Sequence, residues 1–138
     1  MRVSLFVPCF VDQIYPNVAI SMIKILERLG HEVDYPEGQT CCGQPPFNSG
    51  YWDEARGSAC SMMDAFRDAD VVVGASGSCG AMLKVFYPEL FHGHEREPEA
   101  LALSGKVHEF SAFLVNVLKV TDLGAQFEAK VTYHDGCH

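Results

Sequence analysis

Basic residues are scarce in this chain of 138: ten Lys and Arg stand against eighteen Asp and Glu, and they form no run. The resulting net charge of −8 repels nucleic acid and anionic membrane surfaces, so both are set aside as partners. Long apolar stretches are also missing. The longest uncharged segments, Gly38–Trp52 and Val71–Leu83, are too short or too polar for a bilayer that needs about 20 apolar residues. Met1-Arg2 followed by Val3–Val11 resembles a signal peptide, but the apolar run is short, contains Pro8 and lacks an A-x-A cleavage pattern. It reads as a first buried strand. No C-x2-C-x2-C run exists, so a ferredoxin-type cluster would have to come from a partner. Gly74, Gly77 and Gly80 are spaced by threes, not as G-x-G-x-x-G, and no acidic residue lies about 20 positions on at a second strand end.

Apolar residues, by contrast, make up 48% of the chain, enough for one domain with a real core. Six cysteines allow fifteen disulfide pairings, yet a chain with such a core needs no staples, and adjacent Cys41-Cys42 suit a disulfide framework poorly. Reduced thiols in a cytoplasm are expected.

Periodicity predicts alternating strands and helices. Val3–Val7, Glu32–Tyr35 and Val71–Val73 read as strands. Val18, Met22, Ile25, Leu26 and Leu29 fall at helical spacing between Pro16 and Gly30, and Trp52, Ala55, Ala59, Met62 and Phe66 mark a second apolar stripe. A short helix is expected from Cys79 to Pro88, another from Val107 to Leu118, and a last strand at Lys130–Tyr133. The order βαβαβααβ predicts an α/β fold: a doubly wound, Rossmann-like parallel sheet of about four strands with helices on both faces.

Ligands of such sheets bind outside the carboxyl ends of the strands. Cys9, Cys41-Cys42, Cys79 and Cys137 each follow a predicted strand, whereas Cys60 lies in a helix and reads as a small buried hydrophobe. Cys9, Cys41, Cys42 and Cys79 supply four soft sulfur donors from three loops, the donor set of an iron–sulfur cluster or a structural zinc. Cys41 and Cys42 can serve one centre only if the backbone folds sharply, which Gly43 permits, and the Ser76–Gly80 loop opens a helix whose N-terminus favours an anionic ligand. His134 and His138 flank Cys137 in a tail expected to fray, His92 and His94 read as a solvated loop, and Met62-Met63 as core.

The chain ends also match. Arg2-Val-Ser-Leu-Phe-Val-Pro-Cys9 and Lys130-Val-Thr-Tyr-His-Asp-Gly-Cys137 align at equal offsets, so residues 1–129 are expected to form one unit and 130–138 the start of a truncated second. Such a half would bare an apolar face and is expected to pair as a homodimer through the Lys130–Tyr133 strand and the Phe110–Leu118 helix.

Cys9, Cys41-Cys42-Gly43-Gln44-Pro45, Asn48-Ser49-Gly50-Tyr51, Gly77-Ser78-Cys79 and Tyr133-His134-x-x-Cys137 together resemble the cysteine-rich CCG domain family, which has members in heterodisulfide reductases and in the iron–sulfur component of glycolate oxidase. A likeness to members associated with lactate utilisation extends through Phe113–Asn116 and Asp122–Ala125. The resemblance implies an electron-transfer subunit of a complex oxidising L-lactate to pyruvate. It also implies a [4Fe–4S]-type cluster on Cys9, Cys41, Cys42 and Cys79, and partner subunits that include a ferredoxin-type iron–sulfur protein. The third loop reads Ser76-x-x-Cys79 where complete family motifs have Cys-x-x-Cys, so a five-cysteine centre lacks one thiolate. Three alternatives stand beside this reading: zinc on the same thiols, a metal-free docking domain, and a cysteine-nucleophile enzyme with Cys79 as nucleophile and His108 or His134 as base.

Overall fold

A computed structural model describes residues 1–134 and residue 136. Four parallel strands, β1 (Arg2–Phe6), β2 (Glu32–Asp34), β3 (Val72–Gly74) and β4 (Val107–Glu109), form one sheet in the order β2-β1-β3-β4. Apolar residues alternate across it because successive side chains of a strand point to opposite faces. Phe6 and Val72 join one core cluster, whereas Val3, Leu5 and Val73 join the other. Both faces are therefore covered, as the doubly wound reading requires.

One face carries α2 (Pro16–Arg28), which follows the short α1 (Cys9–Ile14). Pro16 sits at the helix start, Met22 and Leu26 are its buried residues, and Gly30 takes a left-handed φ of 83° just past the end. The opposite face carries α4 (Trp52–Ala65), preceded by α3 (Gln44–Asn48), and buries Ala55, Ala59, Met62 and Met63. After β3 a helical run begins with α5 (Gly77–Ala81), loosens to a π-helical stretch (Met82–Phe86) and ends as α6 (Tyr87–Leu90). Then α7 (Glu97–Lys106) leads into β4. Arg96, just before α7, joins Glu99 to Asp64 of α4, with 2.6 Å to Asp64, and so ties α7 to α4 at the surface.

Two expectations are corrected. The helix read from Val107 begins instead at Phe110, because Val107–Glu109 is the fourth strand, paired with β3. Glu109 ends that strand and caps α8 (Phe110–Ala112) directly, its carboxylate accepting from Ala112 N at 2.9 Å, and α8 runs on as a π-helical stretch (Phe113–Val117). With no loop between them, strand and helix read as one apolar periodicity. The strand expected at Lys130–Tyr133 does not form: Val131 and Tyr133 are 77% and 88% exposed, so its β-favouring residues bury against nothing. It therefore supplies no sheet edge for self-association. Cys137 and His138, expected to follow that strand, lie outside the described residues. Among the described residues no helix is long and apolar enough to cross a membrane.

Candidate metal or cluster centre at the carboxyl edge of the sheet

All four strands are parallel, so the loops that leave β1, β2 and β3 emerge along one edge. Cys9 opens α1, Cys41 and Cys42 lie in the loop between β2 and α3, and Cys79 lies in α5. Cys41 and Cys79, both half-buried, pack against the core cluster that contains the buried Cys42, whereas Cys9 is exposed. The thiols perturb one another's titration, Cys42 with Cys79 and Cys9 with Cys41. Cys60 is half-buried in α4, and His134 is exposed.

Glutamine side chains fix the loops that hold the thiols. Gln39 accepts from Val7 N at 3.1 Å and donates to Leu5 O at 2.9 Å and Pro36 O at 3.1 Å, binding the approach to Cys41 onto the end of β1. Gln44 donates to Ser78 O at 3.4 Å and ties the double-cysteine loop to α5. From beneath, the buried Tyr87 hydroxyl donates to Cys42 O at 2.9 Å. Sequence reading missed all three residues, since their partners other than Pro36 are 32 to 45 positions away. The Ser76–Gly80 loop opens a helix as expected, and Ser76 caps it, accepting from Cys79 N at 3.3 Å.

Gly43 makes the turn that follows the two cysteines, with φ at 83°. An alanine methyl there would meet Ala55 O at 3.0 Å, whereas at Gly50, with the same φ, nothing lies within 4 Å. Gly50→Ala therefore carries only the left-handed penalty, about 1 kcal/mol, while Gly43→Ala adds a clash with backbone and is expected to cost about 2 kcal/mol or more. Urea denaturation of the two variants measures the difference. Equal midpoints would show that Gly43 serves only its φ.

Electrostatics separate the thiols. Cys42 donates its S–H to Cys79 and is buried, and both effects hold its pKa far above the thiol range. Cys79, receiving that hydrogen bond against a burial penalty and further stabilised by the Ser76 and Ser78 hydroxyls, is pulled down to about 6. Burial raises Cys9, and the charge of Cys41 and a hydrogen bond to it raise it further. His108, the base of the nucleophile alternative, packs its ring on Phe113 at 5.7 Å, and burial and Lys84 lower its pKa. Among the described residues no hydrogen bond joins it to Cys79.

Four thiols from three loops fit a thiophilic metal or an iron–sulfur cluster by donor chemistry. Among the described residues no three His, Cys, Asp or Glu side chains are grouped so as to hold a metal ion. Ligation therefore requires the thiols to move toward a common centre.

A parallel α/β sheet whose carboxyl edge gathers cysteines from successive loops defines a cysteine-rich α/β domain. The sequence model of the cysteine-rich (CCG) domain family matches residues 3–84, which include all four thiols, and the chain belongs to that family. It is 55% identical over its whole length to lactate utilization protein A of Geobacillus kaustophilus, 50% to that of Oceanobacillus iheyensis and 47% to that of Bacillus subtilis. The chain spans 57–58% of the length of these relatives. No solved structure matches it significantly.

Proposed function

We propose that this domain belongs to an iron–sulfur electron-transfer subunit that serves L-lactate oxidation, and that Cys9, Cys41, Cys42 and Cys79 hold the cluster. The observation that carries the reading is that the three loops bearing the four cysteines leave the same edge of the parallel sheet, the edge at which such sheets bind ligands. The relatives' role in lactate utilization supplies the substrate. A bound cluster supplies one-electron transfer. The protein's own part is to pack Cys42 into the core beside Tyr87 and Phe6 and to offer Ser76 and Ser78 hydroxyls to Cys79, since burial and hydrogen bonds to sulfur tune such centres. With no ferredoxin motif in the chain, electrons pass on to a ferredoxin-type iron–sulfur partner in the same complex.

Anaerobic reconstitution with ferrous iron and sulfide tests this. Brown protein with acid-labile sulfide and broad visible absorbance is the expected result. Colourless protein that takes up zinc instead would assign a structural site to the same thiols, and protein that binds neither would end the cluster reading.

A further inference from the structure

The exposed aromatic side chains of the folded body gather at the same edge as the cysteine loops. Phe10 lies in α1 beside Cys9, Tyr15 closes α1, Tyr35 directly follows β2, and Tyr51 and Trp52 open α4, all between 42% and 64% exposed. Each stands in a segment that leaves the carboxyl end of β1 or β2. Among the described residues the other exposed Phe, Tyr or Trp side chains, Phe127 and Tyr133, lie beyond the last helical stretch. The rings are held by neighbours: Phe10 meets Tyr15 with centroids 5.7 Å apart, and Trp52 stacks on Phe47 at 5.5 Å with planes 10° apart. Rigid aromatic rings are the side chains in which protein interfaces are enriched.

Charge is divided in the same way. Residues 7–23, 35–55, 75–83 and 109–118, which carry the chain out of the four strands at this edge, contain no Lys or Arg. They do present exposed acids, Asp12, Glu37, Asp53 and Glu54. Bases stand at the opposite edge, where Arg2 begins β1 and Arg28, Arg67 and Lys106 precede β2, β3 and β4. Arg56, one residue past the second of these segments, is taken up by Asp53 and by Leu90 O at 3.2 Å. Thiolates gathered here, with a metal or cluster that offsets only part of their charge, would add to an edge that supplies no cation of its own.

We propose that the thiol edge is the docking face for a partner protein whose contact surface is basic around an apolar centre. The partner's cations supply the positive charge this edge lacks, and its apolar side chains cover the exposed rings. The proposal rests on the reading of the thiols as cluster ligands of an electron-transfer subunit, and it states the chemistry of the surface that receives them. A symmetric pairing of two copies through this edge would set acid against acid, and nucleic acid and anionic lipid meet the same repulsion. Docking also excludes water from above the thiols, and solvent exposure is one of the levers that set a cluster's potential.

The test uses the full chain, isotope-labelled and kept reduced, with a ferrous c-type cytochrome as probe, because its lysines ring an exposed apolar haem edge. Amide shifts followed by NMR during titration are expected at Phe10, Tyr15, Tyr35, Tyr51 and Trp52, and binding should weaken as added salt shortens the screening length to about 8 Å. Glu37→Lys with Glu54→Lys should weaken binding about fivefold or more. Glu27→Lys with Glu32→Lys, which makes the same change in net charge toward the other edge, should not. Phe10→Ser should also weaken it, and Leu101→Ser on α7, equally exposed to solvent on another surface, should leave it unchanged. Succinylating the probe's lysines should abolish binding. No saturable binding, shifts centred on another surface, equal losses from the two charge pairs, or full affinity in Phe10→Ser would each overturn the proposal. Shifts of these amides that depend on the chain's own concentration would place a second copy at the edge and overturn it as well. Iron uptake is measured on the same preparation: binding at the edge by a chain that takes up no iron keeps the docking face and ends the cluster reading, and iron uptake without binding there does the reverse.

Discussion

Cys42→Ser is expected to lower the iron content of reconstituted protein at least about tenfold, since even groups supporting a metal's ligands change affinity by about 10 to 100. Cys42 is the most buried of the four thiols and lies in the turn that Gly43 and Tyr87 hold, so no mobile side chain can take its place. Serine keeps the volume nearly unchanged but replaces a soft sulfur with a hard oxygen, which separates ligation from packing. Cys60→Ser is the matched control, because Cys60 lies within α4 and not in the loops that carry the other four thiols. Its iron content should stay at the wild-type level. Iron measured against protein, together with circular dichroism to show that both variants fold, decides the matter. Wild-type iron in Cys42→Ser would remove Cys42 from the ligand set.

The fold was legible wherever one element carried one period. Strands β1 and β3 announced themselves as short apolar runs, and α2 and α4 as stripes at helical spacing bounded by Pro16, Gly30 and Trp52. Strand β4 was hidden because its three residues run into α8 without a turn, and Glu109 is not among the usual capping residues. At Lys130–Tyr133 the reverse occurs: alternation of the right kind is present, but a strand forms only where another strand or a core meets it. In the site, the cysteines could be placed because a parallel sheet sends every strand's outgoing loop to the same edge. The fastening of their loops could not, since it depends on Gln39, Gln44 and Tyr87 reaching across the fold to main-chain atoms. Side-chain to main-chain bonds of that span leave no local pattern in a sequence.

Tyr87→Ala is expected to destabilise the domain by about 3–5 kcal/mol, the range for deleting a large buried aromatic and a large part of the roughly 5–15 kcal/mol that holds a typical domain. Tyr87 is fully buried in the core cluster that includes Phe6, Cys42, Met62 and Met82, and it meets Phe91 edge-on with ring centroids 6.5 Å apart. Tyr87→Phe isolates the hydroxyl. Burial pushes the phenol's pKa upward, so the group stays protonated and donates to Cys42 O; its loss strands a buried carbonyl at about 1–3 kcal/mol. Urea midpoints with unchanged slopes measure both costs. Stability alone does not show that the hydroxyl positions the site, so the decisive comparison is with Leu103→Ala, which thins the same core from α7 without touching the thiol loops. Alkylation of Cys42 in reduced, metal-free protein should accelerate in Tyr87→Phe more than in Leu103→Ala once rates are compared at equal unfolding free energy. A local opening of the Cys41-Cys42-Gly43 turn exposes that sulfur in the first variant, whereas the second exposes it only through global unfolding. Equal rates at equal stability would mean that Tyr87 contributes packing alone and that Gly43 and Gln44 hold the turn without it.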